Sequence, residues 1–221
     1  MASGQPYTDR EAIKEFLTSL EYPLYYLDFE TFSTAIPLFD GTRPYQNIPF
    51  QFSLHVQKTP AGELEHHEFL AEGRDDPRPA LLASLSCLIG SRGSVVAYNK
   101  SFEEGVLRSL GESFPEYGSW AEDVISYLTD LIVPFRSFHY YHPAQKGSAS
   151  LKSVLPAVTG ISYDDMPIAD GNDASLAYLS LTFGGLPEDE AQRIRQQLLE
   201  YCNLDTGGMV RIIERLKEIV V

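Results

Sequence analysis

The most constraining feature of the sequence is an aromatic, apolar run at residues 22–31, YPLYYLDFET, that contains two acids. Such a run favours a buried β-strand. Asp28 and Glu30 lie two positions apart, and side chains alternate across a strand, so both carboxylates leave the same face. Burying two like charges without compensation is costly. We therefore expect either divalent cations beside them, or a sheet edge where solvent or an arginine compensates the charge.

The periodicity of the remaining chain predicts an α/β domain built on a mixed five-stranded sheet with flanking helices. The first three strands are separated by turn signals, and we expect them to form an antiparallel meander. Strands are predicted at 22–31, 50–57, 63–70, 94–99 and 130–133, helices at 8–20, 78–90, 101 onward, 119–129, 150–158, 172–182 and 187 onward, and long loops at 33–49 and 134–148.

Local signals predict where two of these helices begin and end. Ser101, with Glu104 three residues later, has the pattern of a capping box. Proline and three acids at 187–190 favour the start of the last helix. That helix runs to about residue 203, or on to 219 if Gly207–Gly208 do not interrupt it. Glycine disfavours a helix interior, so we expect this pair to loosen or break the helix.

Two further acids lie at the start or on one face of predicted helices. Glu103 is in the first turn of the helix after the fourth strand, where Asn99 ends the strand and Phe102 is expected to anchor the helix in the core. Strand ends of this kind favour ligand sites, although an acid here also complements the helix dipole. Tyr201 and Asp205 are four residues apart in a predicted helix, so they share a face. The alternative is that Asp205 is an ordinary exposed acid on the surface of this helix.

Three separate elements thus contribute candidate metal ligands, namely Asp28, Glu30, Glu103 and Asp205. Carboxylate oxygens select Mg²⁺ or Mn²⁺ over zinc. Two such ions about 3.5–4 Å apart activate a water molecule and stabilise the leaving oxygen of a phosphodiester. Tyr201, one helical turn before Asp205, is expected to position the attacking water. The predicted cofactors are therefore two Mg²⁺ or Mn²⁺ ions, with the four acids and Tyr201 as the catalytic residues.

Three motifs in order resemble those of the DnaQ-like DEDD exonucleases, in the subgroup with a tyrosine in its third motif. LDFET at 27–31 is similar to the first motif, YNKSFE at 98–103 to the second and YCNLD at 201–205 to the third. The resemblance covers about residues 22–219 and departs from the family in having Glu103 where most members have aspartate. The segments GTRPYQNIPFQFSLH and GSASLKSVLP are similar to an uncharacterised bacterial branch of predicted nucleases.

The resemblance implies a ribonuclease H-like fold and a 3′–5′ exonuclease that hydrolyses single-stranded DNA or RNA. It implies one exonuclease-like domain over 1–221, placed as the C-terminal part of a longer protein, with other nuclease or helicase domains as partners. Glu103 in the second motif leaves a second interpretation, in which the chain is a weak or inactive nuclease-fold module that binds nucleic acid or a partner domain. A third is an internally cutting nuclease of the same fold.

The distribution of charge limits how such a protein binds a polyanion. With 17 Lys and Arg against 31 Asp and Glu, the net charge of −14 excludes a general basic field. From 131 to 163, however, there is no acid, and aromatic residues are interleaved with basic ones. They suit a single-strand groove, or else a loop whose aromatic rings belong to the core. The predicted nucleic-acid-binding residues are Asn99, Lys100, Arg136, His139, Tyr140, Tyr141, His142, Lys146 and Lys152.

The sequence has no apolar run of about 18 residues, so we expect no membrane span. Its two cysteines, Cys87 and Cys202, form neither a disulfide framework nor a zinc set. A cytoplasmic location is therefore expected.

Overall fold

The computed structural model describes residues 4–221, so the first three residues of the predicted domain lie outside the described residues. The strands are β1 (Tyr7–Thr8), β2 (Leu24–Phe32), β3 (Ile48–Gln57), β4 (Leu64–Leu70), β5 (Ser94–Ala97), β6 (Leu128–Asp130) and β7 (Tyr140–Tyr141). The α-helices are α1 (Arg10–Thr18), α2 (Arg78–Ser86), α3 (Ser101–Ser113), α4 (Gly118–Ser126), α5 (Val133–Arg136), α6 (Leu151–Thr159), α7 (Gly171–Phe183) and α8 (Glu188–Val220).

A five-stranded mixed sheet forms the centre of the fold, in the order β4-β3-β2-β5-β6. Strands β2, β3 and β4 pair antiparallel, while β5 pairs parallel with both β2 and β6. The predicted mixed sheet with an antiparallel meander at its start is confirmed. A separate two-stranded ribbon joins β1 to β7.

Helices cover both faces of this sheet, which explains why its central strand β2 is apolar on both sides. Leu27 and Phe29 pack into a core beneath α2, α3 and α4. Tyr26 faces the opposite way, into a second core shared with α1, α6 and α8. Because side chains alternate along a strand, Asp28 and Glu30 share the face of Tyr26 and point toward α8.

Helix α8 is continuous over 33 residues, so the predicted break at Gly207–Gly208 is wrong. The glycines instead allow close packing. A Cβ on Gly208 would lie 2.8 Å from Cδ2 of Leu155 in α6, and one on Gly207 would lie 3.7 Å from Cε1 of His55 in β3. Burial of the surrounding apolar face outweighs the modest cost of glycine in a helix interior.

Three local predictions also differ from the structure. The fifth sheet strand is Leu128–Asp130 rather than 130–133, because the chain turns into the short helix α5. Lys100, not Ser101, precedes α3, and no side-chain cap is formed. Phe102 is 37% exposed instead of anchored in the core, since the left-handed Asn99 (φ 66°) redirects the chain before the helix. Within residues 4–221, no helix has the length and apolarity needed to cross a membrane.

Candidate metal centre and nucleic-acid interface

Three carboxylates meet where the central strand passes beneath the long helix. Asp28 and Glu30 come from β2, and Asp205 comes from α8. Each offers an oxygen, and these oxygens all lie within 4.8 Å of one another. Two independent periodicities produce this arrangement: alternation along β2 gives the pair, and the buried face of α8 presents the third acid.

The fourth predicted acid, Glu103, lies beside this group of three. It is in the first turn of α3, is 2% exposed, and its Oε2 atom has no hydrogen-bond partner among the described residues. Glu103 lines the same cavity as Asp28, Glu30 and Asp205, but it is not within the close group. A buried carboxylate oxygen without a partner is costly, which indicates a ligand or a bound proton at this position.

Burial raises the pKa of every acid in the site. Desolvation, followed by the charges of Asp205, Glu30 and Glu103, holds the pKa of Asp28 well above its usual range. Burial raises the pKa of Glu30 to about 8, and Asp205 adds to the effect. Burial likewise raises the pKa of Glu103 to about 8 and that of Asp205 to about 6. At neutral pH the site therefore retains protons unless positive charge is supplied.

Neither of the other two compensations considered from the sequence, solvent at a sheet edge or an arginine, is found at these acids. Asp28 and Glu30 pair with Ser53 and Gln51 of β3. They lie beyond the pairing of β2 with β5, which ends at Tyr26, but neither side chain is exposed to solvent. Among residues 4–221, none of the four acids forms a salt bridge with an arginine or lysine. The clustered carboxylate oxygens, with the unpartnered Oε2 of Glu103 beside them, are the donors that Mg²⁺ or Mn²⁺ prefers. The residues present therefore fit a hard divalent cation.

Two tyrosines border the acids, of which sequence analysis identified one. Tyr201 is buried on α8, one turn before Asp205 as predicted. Tyr163, from the loop after α6, donates a hydrogen bond from its hydroxyl to Asp205 Oδ1. Burial, then the Asp205 charge, raises the pKa of both phenols, so both remain protonated donors. No spacing rule links a loop residue to α8, which is why Tyr163 was missed.

A buried thiol also contacts the site. Cys202 is fully buried on α8, and its Sγ donates to Asp28 Oδ2 over 3.4 Å. Burial, followed by the charge of Asp28, raises the pKa of Cys202 well above its usual value. The side chain is therefore a neutral thiol that orients Asp28, rather than a nucleophile.

The acids open into two neighbouring cavities. A cavity of about 610 Å³ is lined by Asp28, Tyr201 and Asp205 together with Asn99, Arg136 and Lys152. A second cavity, of about 630 Å³, is lined by Glu30 and Glu103 and by polar residues that include Asn47, Asp170 and Asn172. The first therefore has basic groups on one side of the carboxylates, and the second has none.

Three of the predicted nucleic-acid-binding residues line the basic cavity. Arg136 Nη2 donates to Asn99 Oδ1 over 3.2 Å, which fixes the guanidinium beside the site. Lys152 is exposed, with its Nζ 5.6 Å from the ring centroid of Tyr201 and 5.9 Å from that of Tyr163. Neither cation has a carboxylate within salt-bridge distance among the described residues. Lys152 Nζ donates to the neutral Ala169 carbonyl, so both cations keep their charge and further N–H donors for an anion.

The other six predicted contacts do not line these cavities. Tyr140 is 4% exposed and packs edge-on against Phe135, so it is a core residue rather than a stacking surface. For this ring the core alternative is correct, because pairing of β7 with β1 buries it. Lys100, His139, Tyr141, His142 and Lys146 line neither cavity.

Comparison with known proteins gives a family without a stated function. Residues 25–150 match the family model described as Domain of unknown function (DUF2779). That match covers more than half of the chain, which therefore belongs to this family. It includes Asp28, Glu30 and Glu103 and ends before α8.

Curated relatives extend the similarity over most of the chain. The chain is 26% identical to the uncharacterized protein MG366 homolog of Mycoplasma pneumoniae over 216 residues, which cover 88% of this chain and 32% of the relative. It is 24% identical to the uncharacterized protein MG366 of Mycoplasma genitalium, with the same coverage of 88% and 32%. It is 22% identical to the uncharacterized protein UU173 of Ureaplasma parvum over 95% of this chain and 33% of the relative. The chain thus spans about a third of the length of these relatives.

Proposed function

We propose that this chain is a metal-dependent nuclease domain of ribonuclease H-like type that hydrolyses phosphodiester bonds of single-stranded DNA or RNA. The observation that carries the proposal is the buried group of Asp28, Glu30 and Asp205, within 4.8 Å of one another, beside the unpartnered Glu103. Removal of nucleotides from the 3′ end is part of the proposal and rests on the resemblance of the three motifs to DEDD exonucleases.

The proposed centre holds one or two Mg²⁺ or Mn²⁺ ions on the four acids. When bound, such ions supply charge neutralisation and the activation of water for attack on phosphorus. Tyr163 donates to Asp205 and leaves the other lone pairs of that carboxylate for a ligand. Tyr201, on the same face of α8, is placed to orient a water molecule through its protonated hydroxyl.

Local charge supports a nucleic-acid substrate in spite of the net charge of −14. Arg136 and Lys152 line the cavity next to the carboxylates and have no acidic partners among the described residues. Cations at this position bind the phosphates on either side of the scissile bond, and a few local contacts suffice where the general field is acidic. The remaining length of the relatives leaves room for the proposed nuclease or helicase partner domains. Free thiols at Cys87 and Cys202 favour the proposed cytoplasmic location.

The test is digestion of an end-labelled single-stranded oligonucleotide with Mg²⁺ or Mn²⁺. Asp28→Asn should abolish digestion, whereas Asp123→Asn, a matched change on the exposed side of α4, should leave it intact. A circular single-stranded substrate separates the two modes of cleavage, since only an internally cutting enzyme opens it. A wild-type protein free of contaminating nucleases that digests nothing with either metal, on DNA or RNA, would refute the proposal.

A second candidate is a noncatalytic nuclease-fold module. It is favoured by the position of Glu103, which lies outside the close group of three and so weakens any second metal site. Calorimetric titration with Mn²⁺ discriminates between the two. Binding that Asp205→Asn abolishes supports a metal centre, while no binding at millimolar Mn²⁺ supports the noncatalytic module.

A further inference from the structure

A small cavity lies next to the carboxylate site, between the β2–β3 loop and α3. It has a volume of about 280 Å³ and is lined by loop residues that include Arg43, Tyr45 and Asn47, and by helix residues that include Phe102 and Gly105. Asn47 and Phe102 also line the cavity that holds Glu30 and Glu103, so the two cavities adjoin. A volume just under the usual range of small-molecule pockets suits a single ring system.

One aromatic side chain at this cavity is largely exposed and a second is partly exposed. Tyr45 is 73% exposed and Phe102 is 37% exposed. Large aromatic side chains are more often buried in a domain of this size. Tyr45 also has a left-handed backbone (φ 58°), a conformation that is unfavourable for a bulky residue. Local strain of this kind, combined with exposure of an aromatic ring, is typical of binding sites.

Hydrogen bonds hold the loop in this position. The Tyr45 amide donates to Thr34 O over 2.9 Å, and the Arg43 amide donates to Gln46 Oε1 over 3.1 Å. Gln46 Nε2 in turn donates to Ser109 Oγ in α3 over 3.2 Å, which ties the loop to the helix. The wall of the cavity is therefore organised before any ligand arrives, which lowers the entropy lost on binding.

The polar groups of the cavity are available to a ligand. Arg43 is exposed and has no salt-bridge partner among the described residues, and the Asn47 side chain makes no hydrogen bond within them. Opposite the loop, Gly105 leaves open space, since a Cβ there would meet nothing within 4 Å. An aromatic wall, an amide and a guanidinium match the flat face, the polar edge and the phosphate of one nucleotide.

We propose that this cavity is a subsite for one unpaired nucleobase of the nucleic acid, adjacent to the bond held at the carboxylates. The base stacks on Tyr45 and Phe102, its edge meets Asn47, and Arg43 binds a neighbouring phosphate. This inference rests on the proposed nuclease function for its substrate class. The cavity contacts a base of the nucleic acid, whereas the carboxylate site contacts its sugar–phosphate backbone. Because stacking is tolerant of base identity, the subsite distinguishes a base from its absence rather than one base from another.

The experiment measures binding separately from cleavage. Fluorescence anisotropy in EDTA compares a 5′-labelled single-stranded oligonucleotide with the same oligonucleotide carrying an abasic 3′-terminal nucleotide. Stacking predicts that wild type binds the base-bearing end about tenfold more tightly, equivalent to ~1.4 kcal/mol. Tyr45→Ala should reduce this preference to about twofold or less, whereas Tyr45→Phe, which keeps the ring, should retain it.

A second pair of variants tests the location of the base. Gly105 lines the cavity and a Cβ there meets nothing within 4 Å, so Gly105→Leu should occupy space from the helix side and remove the preference, while Gly105→Ala should retain most of it. Unaltered melting temperatures show that each variant is folded. Equal binding of the two ends by wild type, or an unchanged preference in Gly105→Leu, overturns the inference, as does failure to bind either oligonucleotide. If the protein prefers the base-bearing end but does not cleave any oligonucleotide, the result supports the subsite and contradicts only the proposed nuclease activity.

Discussion

Replacement of Glu103 by glutamine should stabilise the metal-free protein, by an amount that depends on pH. Glu103 is 2% exposed and has an unpartnered Oε2, and burial raises its pKa from the usual 4.5 to about 8. The folded state therefore binds this proton more tightly than the unfolded state does. The contribution of this proton to the free energy of unfolding is fully present below about pH 4.5 and is lost as the pH rises through about 8. Glutamine has no such proton to lose.

The size of the effect follows from the pKa. At 1.36 kcal/mol per pKa unit, a rise from 4.5 to about 8 corresponds to about 5 kcal/mol above pH 8, and to about 3 kcal/mol at pH 7. The stability of Glu103→Gln relative to wild type should thus increase between pH 5 and about 8 and then level off.

Urea denaturation in EDTA at several pH values measures this difference. Glu112→Gln, an exposed change in the same helix, is the matched control and should show no such trend. With Mn²⁺ present, wild type should gain stability as the cation replaces the missing proton, by about 2.7 kcal/mol at a hundredfold excess over Kd, and the variant should gain less. A difference between Glu103→Gln and wild type that is constant across the pH range would refute the reasoning.

Three further changes test other parts of the structure. Asp205→Asn should abolish the rise in melting temperature that Mn²⁺ produces in wild type, as followed by thermal denaturation; an undiminished rise would remove Asp205 from the metal site. Tyr163→Phe removes the hydroxyl that donates to Asp205 and should lower kcat/KM on a single-stranded substrate about tenfold to a hundredfold without unfolding the protein, whereas unchanged kinetics would make the contact incidental. Gly208→Ala should be about 1–3 kcal/mol less stable in urea than Gly207→Ala, because only the former crowds the buried Leu155; equal stabilities would contradict the close packing of α8.

Local periodicity was sufficient to predict part of the candidate site. Alternation along a strand placed Asp28 and Glu30 on one face, and helical spacing placed Tyr201 and Asp205 on another, both as found. These relations depend on backbone geometry alone, which any strand or helix imposes. The antiparallel start of the sheet followed in the same way from strands separated by turn signals.

The surface that surrounds the acids was predicted less well. An acid-free, aromatic stretch identified Arg136 and Lys152 beside the site but also included Tyr140, which is buried. Composition indicates which side chains are capable of stacking on a base, but burial is decided by what packs over them. The pairing of β7 with the distant β1 buries Tyr140, and nothing in its own neighbourhood signals that contact.

The sequence by itself determined which side chains share a face and which residue types are available for a metal. Only the tertiary structure decided that β2 and α8 cross so that three carboxylates meet, and that Glu103 lies beside them. It also brought Tyr163 to Asp205 and used Gly208 for close packing of helices where the sequence predicted a break. The physical reason is range: backbone repeats act over a few residues, whereas these contacts join segments far apart in the chain through burial of the apolar faces between them.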